Sequence, residues 1–261
     1  MNREQVRRAV SLLAEAWETG LRLNELPEDC RPKTPAEGYR IQDALTAELS
    51  IPVGGWKVGA TGPAARKMLG ARGPFCGRVF APRIFASGIT LAPSMYFARG
   101  LEAEIAFVLA ADLKPRKRPY SRKEVEAAVD KAHVAIEIVD LRIAKPSSEV
   151  GIASLIADQG ANGALVLGPA IRRWRSLDLA AAHARMVVNG KVVGEGDVTA
   201  VLGHPLNALV WLANHRRTRD GLLKGQVVTT GTLTGIYRAQ GGDSAVADFG
   251  KLGQVSLTFL P

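Results

Sequence analysis

The segment Leu101-Glu102-Ala103-Glu104-Ile105-Ala106-Phe107 sets two carboxylates two residues apart inside an apolar run. Side chains on a strand alternate between faces, so Glu102 and Glu104 share one face. Leu101, Ala103, Ile105 and Phe107 share the other, which suits a core. A strand near 101–110 follows. Further on, residues 133–143 form the most β-prone run of the chain and set Glu137 between Ile136 and Ile138. A buried, ionised carboxylate without a partner is very costly. Three of them on two neighbouring strands leave two readings open. Either the face is solvated, or it is an oxygen-only site for a hard divalent cation such as Mg²⁺ or Mn²⁺. Zinc suits it less, because His133 is the only histidine or cysteine nearby in sequence.

Two helices precede this β-rich part. Residues 4–19 bring Val6, Val10, Leu12, Leu13 and Trp17 to helical spacing. Thr34-Pro35-Ala36-Glu37 supplies an N-cap, a first-turn proline and a capping-box glutamate, which predicts a helix to about Leu49. From Ile51 the apolar runs shorten and Gly and Pro punctuate them. A second capping box, Ser121 to Glu124, predicts a helix to about Lys131. Asn189-Gly190 suits a type I′ hairpin turn, and a helix over 205–217 follows His204-Pro205. Strands and helices do not alternate regularly, so a doubly wound sheet is disfavoured. The division expected is a helical N-terminal region over 1–50 and a β-rich catalytic domain over 51–261.

Composition narrows the class. With 261 residues, 47% hydrophobic and 23% charged, the chain can bury an ordinary core. No apolar run reaches the roughly 18–20 residues that span a bilayer. Charges interrupt the first residues, so no signal core is read there and a cytoplasmic protein is expected. The net charge is +9, but its clusters (Arg116-Lys117-Arg118, Arg172-Arg173-Trp174-Arg175 and Arg216-Arg217) are short and carry no nucleic-acid motif. A solvated basic surface that attracts anionic substrates, without nucleic acid or membrane as partner, is the reading adopted. Cys30 and Cys76 build neither a disulfide framework nor a cysteine zinc site, and both are expected reduced.

Lys57 stands in the Gly-framed apolar stretch Gly54-Gly55-Trp56-Lys57-Val58-Gly59. Such a lysine is either a proton carrier with a perturbed pKa or a snorkelling strand-end residue. His133, His183, His204 and His215 share no metal-ligand spacing, and no nucleophile elbow, P-loop or dinucleotide fingerprint is present.

Taken together, GWKVGAT, LEAEIAFVL, AIEIVDLRI, IADQGANGALVLG, VVNGKVVGEG and the stretch from Thr229 to Phe259 occur in an order that resembles the 2-keto-4-pentenoate hydratase / 4-oxalocrotonate decarboxylase group of the fumarylacetoacetate hydrolase superfamily. The resemblance implies an α+β fold, a mixed β-sandwich roll with peripheral helices and a small helical N-terminal region. It implies Mg²⁺ or Mn²⁺ held by the residues that match Glu102, Glu104 and Glu137, with Lys57 as the catalytic lysine. Arg142, Asp158 and Thr232 match positions offered as substrate contacts. The implied substrate is a small 2-oxo or 2-hydroxydienoic acid of aromatic-compound catabolism, and the leading reaction is hydration to a 4-hydroxy-2-oxo acid. Decarboxylation of a 4-oxalocrotonate-type acid is the runner-up; C–C bond hydrolysis and a non-catalytic partner subunit are further alternatives. A homo-oligomer, or association with a related subunit or pathway enzyme, is also implied. One departure stands out. Hydratases of the group carry an aspartate in a P-D-F-G segment, whereas this chain reads Pro74-Phe75-Cys76-Gly77.

Overall fold

The computed structural model describes residues 1–215 and 221–261. In chain order its helices are α1 (Arg3–Thr19), α2 (Pro35–Leu49), α3 (Pro63–Leu69), α4 (Arg122–Ala127), α5 (Ser147–Val150), α6 (Ile152–Ala157) and α7 (Pro205–Asn214). The strands are β1 (Val53–Gly59), β2 (Phe75–Phe80), β3 (Ile84–Ala86), β4 (Ile89–Leu91), β5 (Gly100–Leu109), β6 (Val129–Val139), β7 (Asn162–Ala170), β8 (His183–Val188), β9 (Lys191–Asp197), β10 (Val227–Thr229), β11 (Tyr237–Arg238), β12 (Ser244–Asp248) and β13 (Gln254–Phe259).

The strands make two mixed sheets. The larger has the order β2-β1-β10-β5-β6-β7-β3, with β11 added beside β5; the smaller has the order β4-β13-β12-β8-β9. Most neighbours are antiparallel, but β1 with β10, β3 with β7 and β4 with β13 run parallel. The alternation on β5 is used on both faces. Leu101, Ala103, Ile105 and Phe107 are fully buried in the main core, with Ala245, Ala247, Val255 and Leu257 from the smaller sheet. Burying a side chain such as Phe107 stabilises by about 1.5–3 kcal/mol. The other face turns inward on a curl of the larger sheet. There Ala106, Ala135, Leu165, Val79 and Val227, from five different strands, meet in a small apolar cluster. The sheet therefore closes into a roll, with β2 against β7, and packs its outer face on the second sheet. This is the mixed β-sandwich roll expected.

The helices sit around the roll. The capping boxes of α1, α2 and α4 are all formed. Val10 and Leu13 of α1, Ile41 and Leu45 of α2, and Leu155 and Ala157 of α6 share a second core with Leu141 and Ile143. At the start of α7, His204 acts as the N-cap, its Nδ1 accepting from the Leu206 amide at 3.0 Å. Asn189 and Gly190 both have positive φ, 49° and 76°, as a type I′ turn requires. The helix expected over 121–131 is shorter and ends at Ala127. Val129 and Lys131 instead pair with Leu109 and Val108, because extending β6 satisfies the backbone of β5 to its end. The end of the helix expected over 205–217, and the basic pair Arg216-Arg217, lie outside the described residues. No helix among the described residues is long and apolar enough to cross a membrane.

Candidate metal and substrate site

Strand register brings the three glutamates together. Glu102 and Glu137 are direct cross-strand partners on β5 and β6, and Glu104 is the next inward residue on β5. Like charges directly opposite destabilise a sheet. Here one oxygen from each of Glu102, Glu104 and Glu137 lies within 4.8 Å of the others. Glu104 and Glu137 are each only 1% exposed.

Their hydrogen bonding is one-sided. Glu104 Oε2 accepts from Thr229 Oγ1, and from the Gly231 amide at 2.7 Å. Glu137 Oε1 accepts from Asn162 Nδ2 at 2.9 Å and lies 3.2 Å from Lys57 Nζ. The second oxygens, Glu104 Oε1 and Glu137 Oε2, are buried without a hydrogen-bond partner among the described residues. Buried carboxylate oxygens are normally paired. Two orphaned oxygens beside a third carboxylate fit the hard, oxygen-only donor set of a divalent cation.

Burial first, and then the negative charge of Glu137, raises the Glu102 pKa to about 7. Burial pushes Glu104 well above the usual range, and Glu137 and Glu102 add to it. Burial alone would lower Lys57, but Glu137, Glu102 and Glu104 outweigh it and the pKa is raised. The lysine is thus an ammonium, held by the same carboxylates. It reaches them because β1 runs beside β10, which sets Lys57 next to Thr229 on the inner face. Two glycines allow close packing around the site. A Cβ on Gly231, at φ +109°, would lie 2.0 Å from Thr61 Oγ1; one on Gly160, at φ +66°, would lie 3.1 Å from Lys57 Cδ.

A cavity of about 290 Å³ opens onto this cluster; Lys57, Glu102, Phe75 and Thr232 all line it. Thr232 also donates from Oγ1 to the Gly235 carbonyl at 2.9 Å. Arg142 and Asp158 are brought together, but neither is among the residues lining the cavity. Arg142 Nε donates to Asp158 Oδ1 at 2.8 Å, and the Arg142 amide donates to Oδ2 at 2.7 Å. The guanidinium lies 3.9 Å from the centre of the Trp17 ring, and Trp17 Nε1 donates to Asp158 Oδ1 at 3.1 Å. The pair reaches the site indirectly: Arg142 Nη2 donates to the Asn162 carbonyl at 3.0 Å, and the Asn162 side chain holds Glu137.

The family model described as fumarylacetoacetate hydrolase C-terminal matches residues 77–259. The chain belongs to the fumarylacetoacetate hydrolase family. Among curated relatives of this family member, a 2-keto-4-pentenoate hydratase of Burkholderia vietnamiensis is 32% identical, covering 95% of this chain and 94% of the relative. A 2-oxo-hept-4-ene-1,7-dioate hydratase of Escherichia coli is 30% identical over 79% of this chain and 78% of its own length. Among solved structures, a 4-oxalocrotonate decarboxylase from Pseudomonas putida G7, complexed with magnesium and adipate, superposes with a TM-score of 0.90 at 26% identity. That likeness covers 100% of this chain and 99% of the decarboxylase.

Phe75, in the Pro74-Phe75-Cys76-Gly77 segment, has its ring centre 5.5 Å from Lys57 Nζ. The next residue points away from the cavity: Cys76 is fully buried, with Sγ 3.7 Å from the Tyr39 hydroxyl, and burial pushes its thiol up to about 12. The sequence does not single out Thr229 or Asn162; Gly231 falls in the Gly231-Thr232-Leu233-Thr234 segment that resembles a substrate-contacting turn of the family, and in the structure its amide donates to Glu104. A strand-face pattern marks Thr229, but only the pairing of β10 with β5 gives it a partner.

Proposed function

We propose that the chain is a divalent-metal-dependent hydratase that adds water to a 2-hydroxy-2,4-dienoate, giving a 4-hydroxy-2-oxo acid in aromatic-compound catabolism. The observation that carries this reading is the pair of orphaned oxygens, Glu104 Oε1 and Glu137 Oε2, meeting beside Lys57 where the cavity opens onto the cluster. The hydratases at 30% identity and above support it. Glu102, Glu104 and Glu137 would hold Mg²⁺ or Mn²⁺, and an ion there would supply Lewis-acid stabilisation of enolate charge on the substrate. Lys57, 3.2 Å from Glu137, would give a proton to C5 of the dienol while the 2-hydroxyl gives up its own to solvent, leaving a 2-oxo-3-enoate. Water then adds to the conjugated alkene of the resulting 2-oxo acid. Thr232, on the cavity wall, is assigned to substrate contact. Arg142 and Asp158 are assigned to holding Asn162, and through it Glu137. A cytoplasmic homo-oligomer is part of the same reading.

One observation favours a second reading, decarboxylation of a 4-oxalocrotonate-type acid: Phe75 puts an aromatic ring, not a carboxylate, beside Lys57. A paired assay separates the two. Purified protein is given 2-hydroxypenta-2,4-dienoate or 4-oxalocrotonate, with Mg²⁺ or Mn²⁺ and with EDTA, while diene absorbance and CO₂ are followed. Metal-dependent loss of the diene without CO₂ is expected. Release of CO₂ from 4-oxalocrotonate would replace the hydratase reading by the decarboxylase.

A further inference from the structure

The charged groups of the cavity all lie at one end. Among its lining residues only Lys57 and Glu102 carry charge, and both belong to the carboxylate cluster. The rest of the wall is uncharged and mostly apolar, built by Ala64, Met68 and Leu69 of α3 with Leu155, Ile236 and Phe75; its hydroxyl side chains are Thr61, Ser147 and Thr232. Of the two cations of α3, Arg66 is tied off, donating from Nε to the Ala60 carbonyl at 2.9 Å and from Nη2 to the Thr61 carbonyl at 3.1 Å, and Lys67 is exposed and not among the lining residues. The volume of about 290 Å³ sits near the lower edge of the ~300–1,000 Å³ of pockets for larger ligands, so it exceeds the needs of a five-carbon acid.

We infer that the enzyme selects 2-oxo and 2-hydroxydienoic acids with an uncharged, apolar tail and discriminates against those ending in a second carboxylate. The inference rests on the 2-oxo-acid reading of the site given above. With the substrate's carboxylate and 2-oxo group at the Lys57–Glu102 end, its tail lies against Met68, Leu155 and Ile236. A second carboxylate there is set against apolar side chains and meets no cation among the residues lining the cavity. An alkyl carbon there removes apolar surface from water and gains roughly 4-fold per buried methylene. Met68 and Ile236 stand at the rim, 49% and 43% exposed, where substitution leaves the core intact.

The test uses two unreactive ligands of equal carbon number, 2-oxohexanoate and 2-oxoadipate, titrated calorimetrically into the Mg²⁺-loaded protein. The same protein is assayed with 2-hydroxyhexa-2,4-dienoate and its 6-carboxylate analogue. Tighter binding of 2-oxohexanoate by at least about 10-fold is expected, together with a matching preference in kcat/KM. Met68→Lys should narrow or reverse the binding ratio by supplying a cation to the tail. Equal or tighter binding of 2-oxoadipate by the unmodified protein overturns the inference, and hydration of the 5-carbon dienoate would then still leave the proposed reaction standing. Conversely, no turnover of any dienoate removes the hydratase, while the binding ratio still decides the tail selectivity. A ratio unmoved by Met68→Lys places the tail elsewhere and overturns the assignment. Failure of both oxo acids to bind removes the inference and the reading beneath it together.

Discussion

Two buried ionic clusters lie within one asparagine of each other, and they are built in opposite ways. Around Arg142, the carboxylates are met by donors. Asp158 receives the guanidinium, the Arg142 amide and the Trp17 indole; Arg142 Nη2 donates to the Asp158 and Asn162 carbonyls, and Nη1 lies 3.7 Å from Asp140, which accepts from the Phe97 and Ala98 amides. Around Glu137, three carboxylates face one ammonium and two oxygens have no partner. Arg142 and Asp158 are buried away from the cavity, whereas Glu102 is half-buried on its wall. A closed cluster holds its neighbours in place, whereas an unbalanced one is poised to receive a cation. Asn162 belongs to both, giving its carbonyl to Arg142 and its side-chain amide to Glu137.

Breaking each cluster should have different consequences for stability. Glu104→Gln is expected to reduce metal-dependent turnover to background, at least about 1,000-fold, since it removes a proposed ligand and its charge. The metal-free protein should nevertheless stay folded, because an amide of the same shape keeps an oxygen to accept from Thr229 and Gly231. Full turnover in this variant would remove the metal reading. Asp158→Asn is the counterpart. It removes the carboxylate that Arg142 Nε donates to, leaving Asp140 at 3.7 Å from Nη1, and should cost about 3 kcal/mol in denaturant unfolding, the low end for breaking a buried pair; a loss below about 1 kcal/mol would mean that the closed cluster is not structural.

The link between the clusters gives a smaller effect. Asn162→Ala should weaken metal binding by about 10–100-fold, as is typical when the partner that orients a ligand is lost. Calorimetric titration with Mn²⁺ checks it, and an unchanged affinity would leave Asn162 no part in setting Glu137.

The smallest effect is on pH. The Glu102 pKa is raised to about 7, so between its ordinary value and about 7 the folded, metal-free chain holds a proton that the unfolded chain has lost. This contribution to stability is fully present below the ordinary carboxylate pKa and lost as pH rises through about 7. Measured against Glu102→Gln, which cancels the other titrating groups, the metal-free protein should lose on the order of 1 kcal/mol between pH 5 and pH 8. Parallel thermal-melting profiles for the two proteins would show that Glu102 is not desolvated.

Much of this was legible in the chain. Period-2 alternation placed Glu102 and Glu104 on one face, and the apolar flanks of Glu137 marked it as buried. Capping boxes located the starts of α2 and α4, and the hairpin turn at Asn189-Gly190 followed from the conformational demands of that turn. The end of α4 was not legible. Its sequence continues in a helical pattern, but the register with β5 recruits Val129 onward into a strand.

What the sequence determined by itself is local: which residues alternate, where helices begin, and that three glutamates stand in apolar strands. These follow from backbone sterics and from the cost of burying charge, which act within a few residues. Only the tertiary structure decided which oxygens are left without partners, that Thr229 and Gly231 occupy one side of Glu104, and that Asn162 and Lys57 occupy one side of Glu137. It also decided that Arg142 and Asp158 satisfy each other away from the cavity. The reason is physical: a hydrogen-bond partner is set by the pairing of strands more than 100 residues apart in the chain, as between Glu104 and Thr229, and no local pattern carries that distance.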